Sequence, residues 1–300
     1  MDGPSGICKH MAKLTTLENG LRVVTEAMPG RRIASVGFWT LAGSVRESRR
    51  NAGISHLLEH MLFKGTGRRS AFQIAAALDA VGGDLNAFTE REYSCLHCTV
   101  LADHVSLALD VMTDMLLNSA IAPGELHTER AVVLEEIAEY EDSPEEIVHD
   151  EVMRLLWPTH PLGGAVHGSS RSVMRSTRED LMAYRDRWYS PAALVLAAAG
   201  DVSHERLVRL VERSSLGNGR PAHRLTRRPP KLSRGCRILS RDTEQAHLCF
   251  AVPAASRRDE ARYVDSVLAA ALGATPSSRL FQQIRERRGL AMLQIGGGPP

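Results

Sequence analysis

Two histidines and a glutamate within five residues are the side chains of this sequence best suited to catalysis. His56 and His60 are four positions apart, so on a helix their imidazoles lie one turn apart on one face and can reach a single metal ion. Glu59 is on that face too, close enough to contact a metal-bound water. The order H-x-x-E-H is the inverted form of the H-E-x-x-H arrangement of zinc hydrolases. The alternative is a core helix whose two histidines are satisfied by neighbouring groups.

The residues around the motif predict the helix that would position it. Apolar side chains recur on one face, at Ile54, Leu57, Leu58, Met61 and Leu62. Ser55 and Asn51 are candidate caps for its start. The glycines of Gly65-Thr66-Gly67 predict its end.

A catalytic zinc usually has three protein ligands and one open position, so a third ligand is needed. A helix predicted over 123–142 offers acidic candidates, and it begins with a proline, which suits a first helical turn. Glu129 and Glu136 are seven positions apart and share a face, whereas Glu135 points about a quarter-turn away. Glu139 and Glu141 are interpreted as an exposed charged face.

Five stretches of the chain carry a family resemblance. In order they are HLLEHMLFKGT, GGDLNAFTEREY, ERAVVLEEIAEYEDSPEE, HPLGGAVHGS and YSPAALVLAAAGDVSHERLVRLVE. Together they closely resemble the insulinase/pitrilysin family of zinc peptidases, nearest to its bacterial and mitochondrial processing-peptidase branch. The resemblance extends from Leu14 to Gly289.

The resemblance implies a role for each matching residue. Glu136 corresponds to the third zinc ligand, beside His56 and His60, and Glu129 to a glutamate that supports the ligands. Three further residues match substrate-binding positions, namely Asn86, Ala87 and Arg285.

The resemblance also implies an activity. The expected reaction is zinc-dependent endopeptidase cleavage of short peptides or unfolded segments, with one Zn²⁺ per chain and Glu59 as general base. Peptidases of this family enclose the substrate between two similar halves. The strand near 84–89 is expected to pair with the peptide backbone, which predicts loose sequence specificity.

The predicted fold class is α+β, with duplicated α/β halves in which helices cover an antiparallel sheet. The first half is complete over 13–213, a Pro-, Gly- and Arg-rich linker follows over 214–235, and 236–300 is a partial second half. Strands are predicted at 237–240 and 246–252 and helices at 259–272 and 277–288. The second copy has no histidine on its equivalent of the motif helix, so it should not bind zinc.

The second half departs from the family pattern. Relatives carry a tyrosine seven positions after the arginine that Arg285 matches, but Met292 stands there. We therefore expect a truncated or frame-shifted chain, or one whose second half is completed by a partner in a homo- or hetero-oligomer. The rival function is accordingly a non-catalytic or weakly active subunit or scaffold that needs another chain.

Composition argues against several other classes of protein and indicates the cellular compartment. A net charge of +2 without interleaved basic and aromatic residues argues against nucleic-acid or membrane binding. An apolar segment of roughly 18 residues, long enough to span a bilayer, is missing, and the first residues lack a signal-like apolar core, so a cytoplasmic location is expected. Five scattered cysteines fit a reducing compartment. Cys95 and Cys98 form a C-x-x-C, but on a strand they face opposite ways and should not share a metal.

Overall fold

A computed structural model of the chain describes residues 12–217 and 230–290. The chain divides into two units, Met1–Leu248 and Cys249–Pro300, and each is described by itself. Within the predicted linker, Leu216 is fully buried, and the side-chain amide of Asn19 donates to its carbonyl at 2.6 Å. Residues 218–229 of that linker lie outside the described residues, and the predicted domain bounds stay a prediction.

A six-stranded mixed sheet forms the centre of the first unit. Its strands are β1 (Lys13–Thr16), β2 (Arg22–Ala27), β3 (Ile33–Thr40), β4 (Asp84–Thr89), β5 (Ser94–Leu101) and β6 (Leu194–Gly200). Their order across the sheet is β1-β2-β6-β3-β5-β4, which leaves β4 at one edge. The α+β class is confirmed, but the sheet is not wholly antiparallel, because β2 and β6 run parallel. A long helical connection allows this pairing, since β6 enters the sheet far from β2 in sequence.

Helices occupy the two long connections, between β3 and β4 and between β5 and β6, and another helix follows β6. They are α1 (Ile54–Leu62), α2 (Ala71–Asp79), α3 (Val105–Asn118), α4 (Pro123–Asp142), α5 (Pro144–Leu156), α6 (Ser170–Arg175), α7 (Arg178–Trp188) and α8 (His204–Arg213). Proline occupies the first position of both α4 and α5, where a missing N–H costs nothing. The Ser143 side chain between them accepts the N–H of Glu146 and so begins α5. Among the described residues, no helix is long and apolar enough to cross a membrane.

Helix α1 is held in the core of the first unit. It packs against α4, α7 and the edge strand β4. Its apolar side chains are at most 2% exposed, and they are Ile54, Leu57, Leu58, Met61 and Leu62. Burying each contributes roughly 1.5–3 kcal/mol. The polar face of α1 is therefore held in a fixed orientation.

The secondary-structure elements in the described part of the second unit are helical. It contains α9 (Arg262–Ala269), followed directly by a π-helical segment, Ala270–Ala274, and later by another, Phe281–Glu286. α9 and Phe281–Glu286 lie within the two predicted helices, whereas Ala270–Ala274 extends two residues past the predicted end at 272. Two predicted strands are wrong, because both stretches are irregular: 237–240, which belongs to the first unit, and 246–252, which spans the boundary between the units. Alternating apolar residues favour a strand, but a strand also needs a hydrogen-bonded neighbour, and none pairs with either stretch within the described residues.

Candidate metal centre

The start of α1 is fixed by a carboxylate from outside the helix. Gly53 precedes it with a φ of 86°, in the left-handed region that glycine adopts without strain. The Glu47 carboxylate accepts the N–H of Gly53 at 2.7 Å and that of Ser55 at 2.8 Å. The predicted caps are therefore wrong: Asn51 accepts instead from Ser48, and Ser55 is already inside the helix. Glu47 satisfies two of the N–H groups that every helix start leaves free.

Glu47 predicts a pH dependence of stability. Burial raises its pKa from 4.5 to about 7, against the opposing effect of hydrogen bonds from Ser55 and Gly53. The folded apoprotein then binds more protons than the unfolded chain between these pH values, so this group lowers stability as pH rises from 4.5 to about 7. Glu47→Gln does not titrate. The difference in unfolding free energy between variant and wild type should therefore move in the variant's favour over that range, by on the order of 3 kcal/mol.

Urea unfolding of both apoproteins at several pH values measures this difference. The titrations of all other groups cancel between the two proteins. A difference that stays constant from pH 4.5 to 7 would contradict the raised pKa.

Three potential ligand atoms converge where α1 faces α4. His56 Nε2 and His60 Nε2 lie 3.3 Å apart. Glu136 Oε2 lies 3.7 Å from the first and 3.5 Å from the second. The structure thus brings together the three residues that the sequence predicts as metal ligands, and within the described residues they form a group able to hold one metal ion.

These separations suit zinc. Ligands at tetrahedral corners with bonds of about 2.0–2.1 Å lie roughly 3.3–3.4 Å from one another. The donor set of two imidazoles and a carboxylate is also one that catalytic zinc uses. Three acceptor atoms facing each other at this distance repel, unless a cation or a proton lies between them. The residues present therefore fit the ion.

Glu129 contacts His60 on the Nδ1 side of its ring, and Lys64 contacts Glu129. Glu129 Oε2 accepts from His60 Nδ1 at 3.2 Å, which places the proton of a neutral ring on Nδ1 and leaves Nε2 free. Lys64 Nζ lies 2.6 Å from the other oxygen of the same carboxylate. The predicted supporting role of Glu129 is consistent with this position, but sequence reasoning missed Lys64. Its place four residues after His60, on the same face, was the available signal.

His56 is suited to metal binding by its protonation state. Burial lowers its pKa to about 4, and the nearby His60 and His167 act in the same direction. The ring is therefore neutral at pH 7, as a metal ligand must be. Its Nδ1 is buried and has no hydrogen-bond partner among the described residues. His167, whose ring packs on Tyr140 at 4.3 Å between centroids, was within a quoted motif but had no predicted role.

Glu59 lies beside the converging atoms with one carboxylate oxygen unpartnered. Burial raises its pKa, while a hydrogen bond from Thr89 and the proximity of His60 oppose the shift. Its Oε2 is buried and has no partner within the described part of the chain. A small cavity borders Glu59, with Ala87 and Tyr189 in its wall and room for about one water. A buried carboxylate oxygen without a hydrogen-bond partner lowers the stability of the folded protein. Such an oxygen is expected where a catalytic site needs a proton acceptor.

The predicted substrate-binding residues fall in different units. Asn86 and Ala87 lie on β4, which pairs with β5 on one side only. Side chains alternate along a strand, so Ala87 faces the cavity beside Glu59 while Asn86, on the opposite face, is exposed. Arg285 lies in the second unit, with its guanidinium 4.7 Å from the centre of the Phe281 ring. Its role stays a prediction.

The C-x-x-C cysteines lie on β5, as the sequence predicts. Burial raises the pKa of the Cys95 thiol to about 12 and that of Cys98 to about 11. Both thiols are therefore protonated at neutral pH, the form that does not bind metals.

Family models match most of the chain. A model described as insulinase, peptidase family M16, matches residues 22–170, and one described as the peptidase M16 inactive domain matches residues 175–292. The second match begins at residue 175, within the first structural unit, and continues to residue 292.

Several relatives are similar over nearly the whole sequence. An uncharacterized zinc protease of Mycobacterium leprae is 45% identical over 297 residues, covering 96% of this chain and 64% of that protein. One from Bacillus subtilis is 38% identical over 286 residues, with 94% and 68% covered. The chain thus spans about two thirds of the length of these relatives.

Solved structures share the fold. A protease from Helicobacter pylori superposes with a TM-score of 0.79 at 20% identity, over 93% of this chain and 69% of the other. A peptidase M16 inactive domain from Pseudomonas fluorescens gives a TM-score of 0.80 at 20% identity, over 93% and 68%.

Proposed function

This chain belongs to the insulinase family of peptidases, M16, and from that premise we propose that it is a zinc-dependent endopeptidase. The observation that carries the proposal is the convergence of His56, His60 and Glu136 at separations of 3.3–3.7 Å. The relatives that are named zinc proteases support the choice of metal.

His56 Nε2, His60 Nε2 and Glu136 Oε2 would hold the ion. When bound, zinc would lower the pKa of a water to about 7 and would polarise the carbonyl of a peptide. Glu59 would accept a proton from the attacking water and later donate it to the departing amine. Its unpartnered Oε2 is the atom available for this transfer. The cavity beside it is bordered mainly by apolar side chains, including Leu62 and Leu116.

The substrate would bind along β4. The outer edge of this strand has backbone N–H and C=O groups that are not paired within the sheet. An extended peptide can pair with them, whereas a folded protein has its own backbone groups occupied. The proposed substrates are therefore unstructured peptides, with little selection among side chains, since the pairing uses main-chain atoms.

Zinc content and peptide cleavage test this function together. The purified chain should contain about one zinc, cleave an unstructured peptide at many positions and leave a stable globular protein intact. A chelator should abolish cleavage, and His60→Ala should lower the zinc content. A well-folded chain that binds no zinc would exclude the proposal.

The second unit favours an alternative in which this chain is one subunit of a larger enzyme. Six large apolar side chains among its described residues are more than 60% exposed, namely Phe250, Val252, Tyr263, Val264, Val267 and Leu290. Apolar surface of this extent is typical of an interface with another chain. A subunit of this kind binds zinc but cleaves slowly alone, and a partner carrying a complete second half restores the rate. Full activity of a monodisperse monomer would exclude it.

A further inference from the structure

Lys64 and His60 contact opposite oxygens of one buried carboxylate. Lys64 Nζ lies 2.6 Å from Glu129 Oε1, and His60 Nδ1 lies 3.2 Å from Glu129 Oε2. The Glu129 side chain is only 4% exposed, whereas that of Lys64 is 32% exposed. The carboxylate therefore bridges a lysine and a proposed zinc ligand inside the protein.

The end of α1 places Lys64 for this contact. The helix ends at Leu62, and the Lys64 N–H still donates to the carbonyl of Met61 at 3.3 Å, which continues the helical direction. His60 and Lys64 consequently project from the same face, one turn apart. Gly65, with a φ of 105°, then turns the chain away. The backbone thus fixes the spacing between the two side chains that contact Glu129.

Lys64 compensates the buried negative charge of Glu129. A buried carboxylate is tolerated when hydrogen bonds and an opposite charge compensate for its lost hydration. The His60 ring supplies one hydrogen bond, and Lys64 supplies the charge. Without the ammonium group, no other group among the described residues holds Oε1 of Glu129. The carboxylate can then rotate, and Oε2 can turn away from His60.

We propose that Lys64 is a positioning residue for the metal centre. It orients Glu129 so that this carboxylate holds the proton of His60 on Nδ1 and leaves Nε2 directed towards His56 and Glu136. The proposal rests on the proposed zinc site, and it assigns to Lys64 part of the affinity of that site. Partners that orient a metal-binding histidine typically contribute 10–100-fold to affinity.

Zinc dissociation constants, measured by competition with a chelator, test the proposal. Lys64→Met removes the charge at similar length and should weaken zinc binding by about 10–100-fold. Lys64→Arg keeps the charge and should retain most of the affinity. Lys13→Met is the matched control, because the Lys13–Glu205 pair is exposed on both sides and far in sequence from the site, so its affinity should equal that of the wild type.

A double-mutant cycle shows whether Lys64 acts through Glu129. Glu129→Gln alone should also weaken binding, and Lys64→Met combined with Glu129→Gln should be no weaker than the worse single variant, since both remove one interaction. Fully additive effects, or a Lys64→Met constant within twofold of the wild type, would overturn the proposal. Circular dichroism of each apoprotein confirms that the variants are folded.

A measurement without metal separates this proposal from the proposed function. Nitrogen-15 NMR of the apoprotein reports which ring nitrogen of His60 carries the proton. The wild type and Lys64→Arg should show a single Nδ1–H form, and Lys64→Met a mixture of both tautomers. If the wild type binds no zinc, the zinc function is excluded, but this spectrum still tests whether Lys64 positions His60. An unchanged tautomer in Lys64→Met would overturn the proposed role of Lys64.

Discussion

Glu59→Gln is expected to retain zinc and to lose peptide cleavage by about 10²–10⁴-fold, the usual contribution of a general base. The amide has nearly the shape of the carboxylate but cannot accept the proton of the attacking water. Zinc content should not change, because His56, His60 and Glu136 supply the converging atoms. Cleavage of an unstructured peptide is measured under conditions in which the wild type is active, beside metal analysis of the same preparations.

The control and a shorter variant define the role of Glu59 further. Glu139→Gln makes the same chemical change at an exposed position of α4 and should cleave like the wild type. Glu59→Asp keeps the charge but shortens the side chain, so it too should be slow. A Glu59→Gln variant with a rate near that of the wild type would show that another group accepts the proton.

Glu136→Gln is expected to weaken zinc binding by more than about 100-fold. A residue that merely orients a ligand contributes up to about that factor, and Glu136 is proposed to bind the ion itself. Glu135→Gln, one position away on α4, is the matched control, because its side chain is exposed and turned from the site. Chelator competition measures both constants. If Glu136→Gln kept its zinc affinity and Glu135→Gln lost it, the third ligand would be Glu135 and not Glu136.

Local sequence signals predicted the helices that carry the site. The bounds of Pro123–Asp142 agree with the prediction at both ends, and the proline at its first position is a local signal for its start. The i, i+4 spacing of His56 and His60 likewise sets their geometry through the helix alone.

Contacts between distant segments were the part that could not be predicted. Glu47 caps α1 from a preceding turn, and Lys64 reaches Glu129 on another helix. The spacing of Lys64 from His60 places both on one face, but it does not show which carboxylate Lys64 contacts. The strands predicted at 237–240 and 246–252 were wrong for a related reason. Alternation of apolar residues describes a strand's own surface, whereas strand formation depends on the neighbour with which it pairs.

The division of the donor atoms between two helices links metal binding to folding. His56 and His60 remain close in any chain that forms one helical turn, but Glu136 joins them only when α4 packs against α1. The unfolded chain therefore offers at most a weak two-histidine site, and zinc favours the native state. At a free zinc concentration 1,000 times the dissociation constant, this mass action stabilises the fold by about 4 kcal/mol. The ion would then act as a non-covalent crosslink as well as a catalyst, and the thermal midpoint of the first unit would rise with the logarithm of free zinc concentration.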